Sequence, residues 1–264
     1  MRGSIGIIDS GVGGLTVAKE ILQRLPTESV IYIGDRERCP YGPRPAEEVR
    51  EYTIEMATAL SKMGIKMLVI ACNTATAVAL EEVRKLFSFP IIGVITPGAR
   101  AAVNATKTGK IAVLGTIGTI KSSAYDKEVL NLLPDATIIP LACPEFVPIV
   151  ESGQYKSEFA SEVVKRTLHA IVDKDFDAAI LGCTHYPLLE SYIQTHLPDH
   201  VKIISSAIET ARDVEQTLLV NGIGNLSKSH KKPVFFTTGS PEDFLEIVVD
   251  WLSIEEPDVR HIEL

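Results

Sequence analysis

Along the chain, short unbroken apolar runs rich in Val and Ile alternate with longer stretches in which apolar positions recur at helical spacing. The short runs predict strands at 4–8, 30–34, 67–71, 91–95, 111–115, 137–141, 178–182, 201–205, 234–237 and 259–262. The amphipathic stretches predict helices that include 46–62, 74–87, 157–172 and 210–220. A strand that is apolar at consecutive positions, not alternate ones, is covered on both faces. Such strands alternating with helices indicate an α/β fold with largely parallel sheets and right-handed crossovers. Ten strands favour two sheets over one, and therefore two domains. No low-complexity segment or Ser/Gly linker separates them, so the boundary is expected in a tight connection, with Thr96-Pro97-Gly98 as the candidate.

One kind of strand end occurs twice. I-A-C-N-T-A-T-A starts at Ile70 and L-G-C-T-H-Y-P-L at Leu181, which puts Cys72 and Cys183 in matching surroundings 111 residues apart. Each reads as apolar strand, small residue, cysteine, polar pair, helix. Ligands of open α/β sheets gather at the carboxyl ends of strands, so two facing units would present one cysteine from each side of a cleft. A cysteine just ahead of a helix meets unpaired N–H groups and the positive end of the helix dipole, which favour its thiolate. One such cysteine suggests a nucleophile. Two opposed cysteines suit proton exchange at a single carbon, one thiolate removing a proton while the other thiol returns one to the opposite face. That inverts a stereocentre with no covalent intermediate. Most enzymes acting at the α-carbon of an amino acid recruit pyridoxal phosphate, yet nothing here compels a Schiff-base lysine or a phosphate cup. Without it the protein must exclude water and supply donors to the developing carbanion. Asn73 and Thr74 after one cysteine, and Thr184 and His185 after the other, are residues of that kind.

The first strand runs into Asp9-Ser10-Gly11-Val12-Gly13-Gly14-Leu15-Thr16, which approaches the G-x-G-x-x-G dinucleotide loop, and Asp35 sits where a ribose-binding acid belongs. Against that reading, Thr16 replaces the third glycine and Asp9 would set a carboxylate beside a pyrophosphate. The rival reading is a tight turn whose N–H groups receive a smaller anion such as a substrate carboxylate, with Asp9 meeting an ammonium group or a catalytic thiol's proton. Pro40-Tyr41-Gly42 reads as a turn, with Tyr41 as a lid. Gly115-Thr116-Ile117-Gly118-Thr119 and Thr237-Thr238-Gly239-Ser240 have the small, hydroxyl-rich character of anion loops and equally of ordinary turns. Glu151 on its own reads as a solvated acid near a helix end.

Composition narrows the function classes. A net charge of −8 and a pI near 5.3, with no Lys/Arg-rich run, argue against nucleic acid as a partner. The N-terminal apolar run is too short for a signal-peptide core and no segment approaches a membrane span, so a cytoplasmic chain with no membrane partner is expected. The four cysteines form no C-x-x-C pair. Cys39 and Cys143 read as small buried hydrophobes. A zinc pair from Cys183 and His185 lacks a second Cys/His cluster to complete it, so no metal is expected.

These motifs closely resemble the cofactor-independent aspartate/glutamate racemases with two cysteines, and within them the glutamate racemases. The resemblance rests on I-D-S-G-V-G-G-L-T-V from Ile8, C-P-Y-G-P-R from Cys39, A-C-N-T-A-T from Ala71 and P-G-A-R-A-A from Pro97. It continues through G-T-x-G-T-I from Gly115, C-P-x-F-V-P from Cys143, L-G-C-T-H-Y-P-L from Leu181 and T-T-G-S from Thr237, over nearly the whole chain. It implies two pseudo-symmetric α/β domains, residues 1–96 plus 208–264 and residues 97–207, with the active site in the cleft between them. It implies interconversion of L- and D-glutamate for peptidoglycan synthesis, no cofactor, and a homodimer. Cys72 then handles the proton on D-glutamate and Cys183 that on L-glutamate, with Asp9 and His185 as their helpers and Glu151 as a further one. Ser10, Pro40, Tyr41, Gly42, Asn73, Thr74, Thr116, Thr119 and Thr184 would form the substrate shell. That shell is largely neutral, as suits a dianion held by N–H and O–H groups. One departure is Ala207, where the family more often has glycine. Aspartate and hydantoin racemases share the paired cysteines, and a binding protein that retains the fold without turnover is the reading from another class.

Overall fold

The structure is a computed structural model and describes residues 3–225 and 232–264. Its ten strands are β1 (Ser4–Asp9), β2 (Val30–Gly34), β3 (Ile65–Ile70), β4 (Ile91–Gly93), β5 (Lys110–Gly115), β6 (Thr137–Ala142), β7 (Ala178–Gly182), β8 (Lys202–Ser205), β9 (Val234–Thr237) and β10 (Asp258–His261). They form two sheets, one in the order β10-β9-β2-β1-β3-β4 and one in the order β6-β5-β7-β8. Every pairing is parallel. The α/β class, the parallel sheets and all ten strands agree with the apolar pattern.

Burial explains why the inner strands read most clearly. Every residue of β3 and of β7 is buried, whereas the edge strands β8 and β10 are only partly covered. On one face of the first sheet Ile8, Ile33, Leu68 and Ile70 meet Val49, Met56 and Leu60 of the helix Ala46–Lys62 and Ala79 and Val83 of the helix Asn73–Leu86. On one face of the second, Ile111, Val113 and Ile180 meet Ala99 and Ala102 of the helix Ile95–Ala105 and Val129 of the helix Ala124–Leu132. A third apolar cluster joins Ile5, Ile7 and Val69 of the first sheet with Ala112, Leu114 and Leu181 of the second. Pro140 interrupts β6 without penalty because β6 is an edge strand.

The expected tight connection at Thr96-Pro97-Gly98 is instead the first turn of the helix Ile95–Ala105. Proline is accommodated there because an N–H at that position has no partner within the helix. The apolar run predicted as strand 91–95 ends as strand at Gly93, and Val94 and Ile95 are buried as the helix begins.

Candidate active site

The two sheets direct their carboxyl ends at one cavity. Ile8 pairs with Ile70, so Ser10 and Cys72 emerge side by side beyond β1 and β3. Gly115 pairs with Gly182, which sets Thr116 beside Cys183 beyond β5 and β7. Cys72 caps the helix Asn73–Leu86, its Sγ accepting from the Ala75 N–H at 3.4 Å. Cys183 Sγ lies 3.7 Å from His185 Nδ1. Both thiols line a cavity of about 10 Å³, enough for about one water.

Ser10, Pro40, Tyr41 and Gly42 line the same space, as do Asn73, Thr74, Thr116, Thr184 and His185. Thr119 stands behind Thr116 in a hydroxyl triad: Thr74 Oγ1 and Thr116 Oγ1 are 2.9 Å apart, and Thr119 Oγ1 is 3.1 Å from Thr116 and 3.3 Å from Thr74. The Tyr125 hydroxyl donates to Asn73 Oδ1 at 2.8 Å. Asn73 Nδ2 is buried and without a partner among the described residues, which leaves it an unspent donor. Tyr41 is a buried side chain anchored through its hydroxyl to Asp35, and the backbone of its loop closes the cleft, the Gly118 N–H donating to Gly42 O at 2.8 Å.

Asp9 and Glu151 do not line the cavity; each stands behind a cysteine or its partner. Burial raises the Asp9 carboxyl above its ordinary range, against the opposing charge of His185 and the N–H groups of Gly14 and Gly11. Burial, and then the negative charge of Asp9, push the Cys72 thiol up to about 12. Thr184 Oγ1 donates to Asp9 Oδ1 at 3.2 Å, joining the two halves of the site. On the other side, His185 Nε2 and Glu151 Oε1 are 2.6 Å apart. Burial alone would lower the His185 pKa; hydrogen bonds to Cys183 and Glu151 outweigh it and raise it well above the ordinary value. The desolvation that would raise Glu151 is likewise outweighed by His185, and its carboxyl titrates low. The pair is therefore imidazolium and carboxylate. Glu151 is not the solvated acid its sequence surroundings suggest.

The glycine loop is not an open anion seat. Its N–H groups already hold the protein's own carboxylates: Gly11 N–H meets Asp9 Oδ2 at 3.2 Å and Val12 N–H meets Glu151 Oε1 at 3.3 Å. A Cβ on Gly13 would fall 2.4 Å from His185 Nδ1, so the second half of the site closes directly over the turn. In this closed state neither a pyrophosphate nor a substrate carboxylate fits there. Asp35 cannot serve a ribose, since it is buried and takes hydrogen bonds from Tyr41, Thr238 and Arg38.

The sequence profile of the Asp/Glu/Hydantoin racemase family matches residues 5–214. This chain belongs to that family. It is 54% identical over 267 residues to a glutamate racemase of Lysinibacillus sphaericus, covering 100% of both chains. Its structure matches that of a glutamate racemase isoform from Bacillus anthracis with a TM-score of 0.96 at 47% identity, covering 100% of this chain and 98% of the other. A glutamate racemase of Francisella tularensis, solved in complex with D-glutamate, matches with a TM-score of 0.92 at 31% identity, covering 99% of this chain and 98% of that one.

Three residues of this racemase-family site escape a reading by residue type. Val147 lines the cavity from within the C-P-x-F-V-P motif, where only the motif could have flagged it. Tyr125 orients Asn73 from 52 positions away and belongs to no motif. Cys39, expected as an inert buried thiol, is half-buried with its Sγ 3.7 Å from Glu151 Oε1.

Proposed function

We propose that the chain interconverts L- and D-glutamate by a two-base mechanism in which Cys72 and Cys183 act from opposite faces of the α-carbon. The observation that carries this reading is the pair of thiols on one enclosed cavity, each backed by its own titratable partner. With L-glutamate, Cys183 Sγ takes the α-proton, the electron pair stays on the carbon as an enolate-like carbanion, and the Cys72 thiol protonates the other face. The reverse direction exchanges these roles, with Asp9 relieving Cys72 of its proton. Asn73 Nδ2, the Thr74–Thr116–Thr119 hydroxyls and Thr184 supply neutral donors for the substrate's charged ends. Glutamate is favoured over aspartate because the relatives of 54% and 47% identity are glutamate racemases, and a glutamate racemase of 31% identity is solved with D-glutamate.

The same proposal includes supply of D-glutamate to peptidoglycan, a cytoplasmic homodimer, and domains at 1–96 plus 208–264 and 97–207. The domains are supported by the membership of the two sheets; among the described residues no helix is long and apolar enough to cross a membrane. A cavity with room for one water admits glutamate only if these two bodies separate. The test is to incubate the chain with L-glutamate in D2O without pyridoxal phosphate, following circular dichroism and the Cα–H NMR signal. Optical activity should decay to zero as deuterium enters Cα. Persistence of both signals with either enantiomer, in folded and reduced protein, would end the reading.

A further inference from the structure

The loop that brings Pro40, Tyr41 and Gly42 to the cavity also delivers Cys39, a thiol the racemisation chemistry does not use. Its Sγ lies 3.7 Å from Glu151 Oε1, and that oxygen lies 2.6 Å from His185 Nε2. One donor atom from each of the three residues falls within 4.8 Å of the others. Thiolate, imidazole and carboxylate are zinc's ordinary ligands at about 2.0–2.3 Å, which places ligands of one tetrahedral ion roughly 3.3–3.8 Å apart. The sulfur–oxygen separation already fits; the nitrogen–oxygen pair has to open by under about 1 Å.

We propose that Cys39, Glu151 and His185 form an inhibitory site for one zinc-like divalent cation. Binding displaces one proton from the Cys39 thiol and one from the His185 imidazolium to solvent, and the resulting thiolate, carboxylate and neutral imidazole together cancel the charge of such an ion, which matters where burial penalises net charge. Arg36 faces the other carboxylate oxygen, Nε to Oε2 at 3.8 Å, and leaves Oε1 to the cluster. The ion enters from a surface cleft of about 510 Å³ whose wall contains Cys39 and Glu151, and a water from that cleft completes its coordination. The three ligands come from both sides of the site. Cys39 follows β2 of the first sheet, Glu151 ends the helix Phe146–Glu151, and His185 follows β7 of the second. A metal bound there ties the two sides together in the closed state and removes His185 from its ion pair with Glu151. The expected inhibition rests on the racemase reading; binding of the ion does not.

Cobalt(II) replaces zinc as the spectroscopic probe. Titrated into the full-length, reduced chain, it should give thiolate-to-cobalt charge-transfer absorption in the near ultraviolet. Cys39→Ser should abolish that absorption, and Cys143→Ser should keep it. In the racemase assay zinc should inhibit reversibly, with activity restored by EDTA, and Cys39→Ser should need more than about tenfold more zinc for the same inhibition. A wild-type chain with no charge-transfer absorption, or an absorption undiminished in Cys39→Ser, overturns the site. Zinc inhibition unaltered by Cys39→Ser overturns its inhibitory role. Cobalt absorption lost in Cys39→Ser, in a wild-type chain that does not turn over glutamate, would support the site while sinking the racemase reading.

Discussion

Cys72 and Cys183 are chemically alike and electrostatically different. Burial and the charge of Asp9 hold Cys72 as a thiol, while Cys183 stands beside an imidazolium. Cys72→Ala and Cys183→Ala should each abolish racemisation while leaving the circular dichroism of the fold intact, because neither thiol fills a large volume in the core. Appreciable two-way racemisation by either variant contradicts the two-base reading. Glu151→Gln should lower kcat from L-glutamate by about an order of magnitude, since His185 loses the carboxylate that keeps it cationic. Enantiomers have equal free energies, so kcat/KM must fall by one common factor from both sides; the asymmetry appears in kcat and in the deuterium isotope effect for L-glutamate. Unchanged values of both would remove Glu151 from the mechanism. The cysteines were legible because their local surroundings repeat. The pairing of Glu151 was not, since it depends on a histidine 34 positions away, and local sequence carries no sign of that contact.

At the scale of elements, the apolar runs placed the strands because complete burial leaves a mark at every position of β3 and β7. They misplaced the end of β4 because the helix that follows buries its own first turn, and an unbroken apolar run does not show where strand becomes helix. The pattern also missed the charges inside it. Lys66, the second residue of β3, is buried; its Nζ donates to Glu28 and to Ile223 O at 2.8 Å, while Asn225 N–H donates to Glu28 Oε1 at 2.6 Å. The pair ties the start of β3 to the segments before β2 and after the helix Ser206–Val220. Removing one member of a buried pair leaves an uncompensated charge, which costs roughly 3–5 kcal/mol. Lys66→Ala should therefore lower the urea midpoint strongly, and Lys66→Met combined with Glu28→Gln should recover most of it. Activity of the folded fraction should be unchanged, because Lys66 lies at the opposite end of β3 from Cys72, roughly 20 Å along the strand. A loss below about 1 kcal/mol in Lys66→Ala would show that the pair does not hold these elements together.

For the whole molecule, joining two parallel sheets at their carboxyl ends buries groups that titrate in alkali. Besides Cys72, burial pushes up the thiols of Cys39 and Cys143 and the hydroxyls of Tyr41 and Tyr125. Cys39 and Tyr41 lie on the loop that closes the cleft, and Tyr125 supports Asn73 from the helix Ala124–Leu132. Their folded-state values lie above those of the unfolded chain, so the folded state binds these protons more tightly. The stability they contribute is complete below the unfolded values, about 8.5 for thiols and about 10 for phenols, and is lost as pH rises above them. Each buried thiol should cost about 2 kcal/mol by a pH near 10. The urea midpoint should thus begin to decline above about pH 6.5, through the raised His185, and fall more steeply from about pH 9 upward, where the thiols join it. Cys143→Ala, which removes one such thiol away from the reacting carbon, should make that fall shallower. A midpoint constant from about pH 8 to pH 10.5 would mean that the thiols are already hydrated in the native protein, with the two halves standing apart in solution. The same titration therefore tests whether the closed cleft is the resting state, and so whether glutamate entry begins with opening.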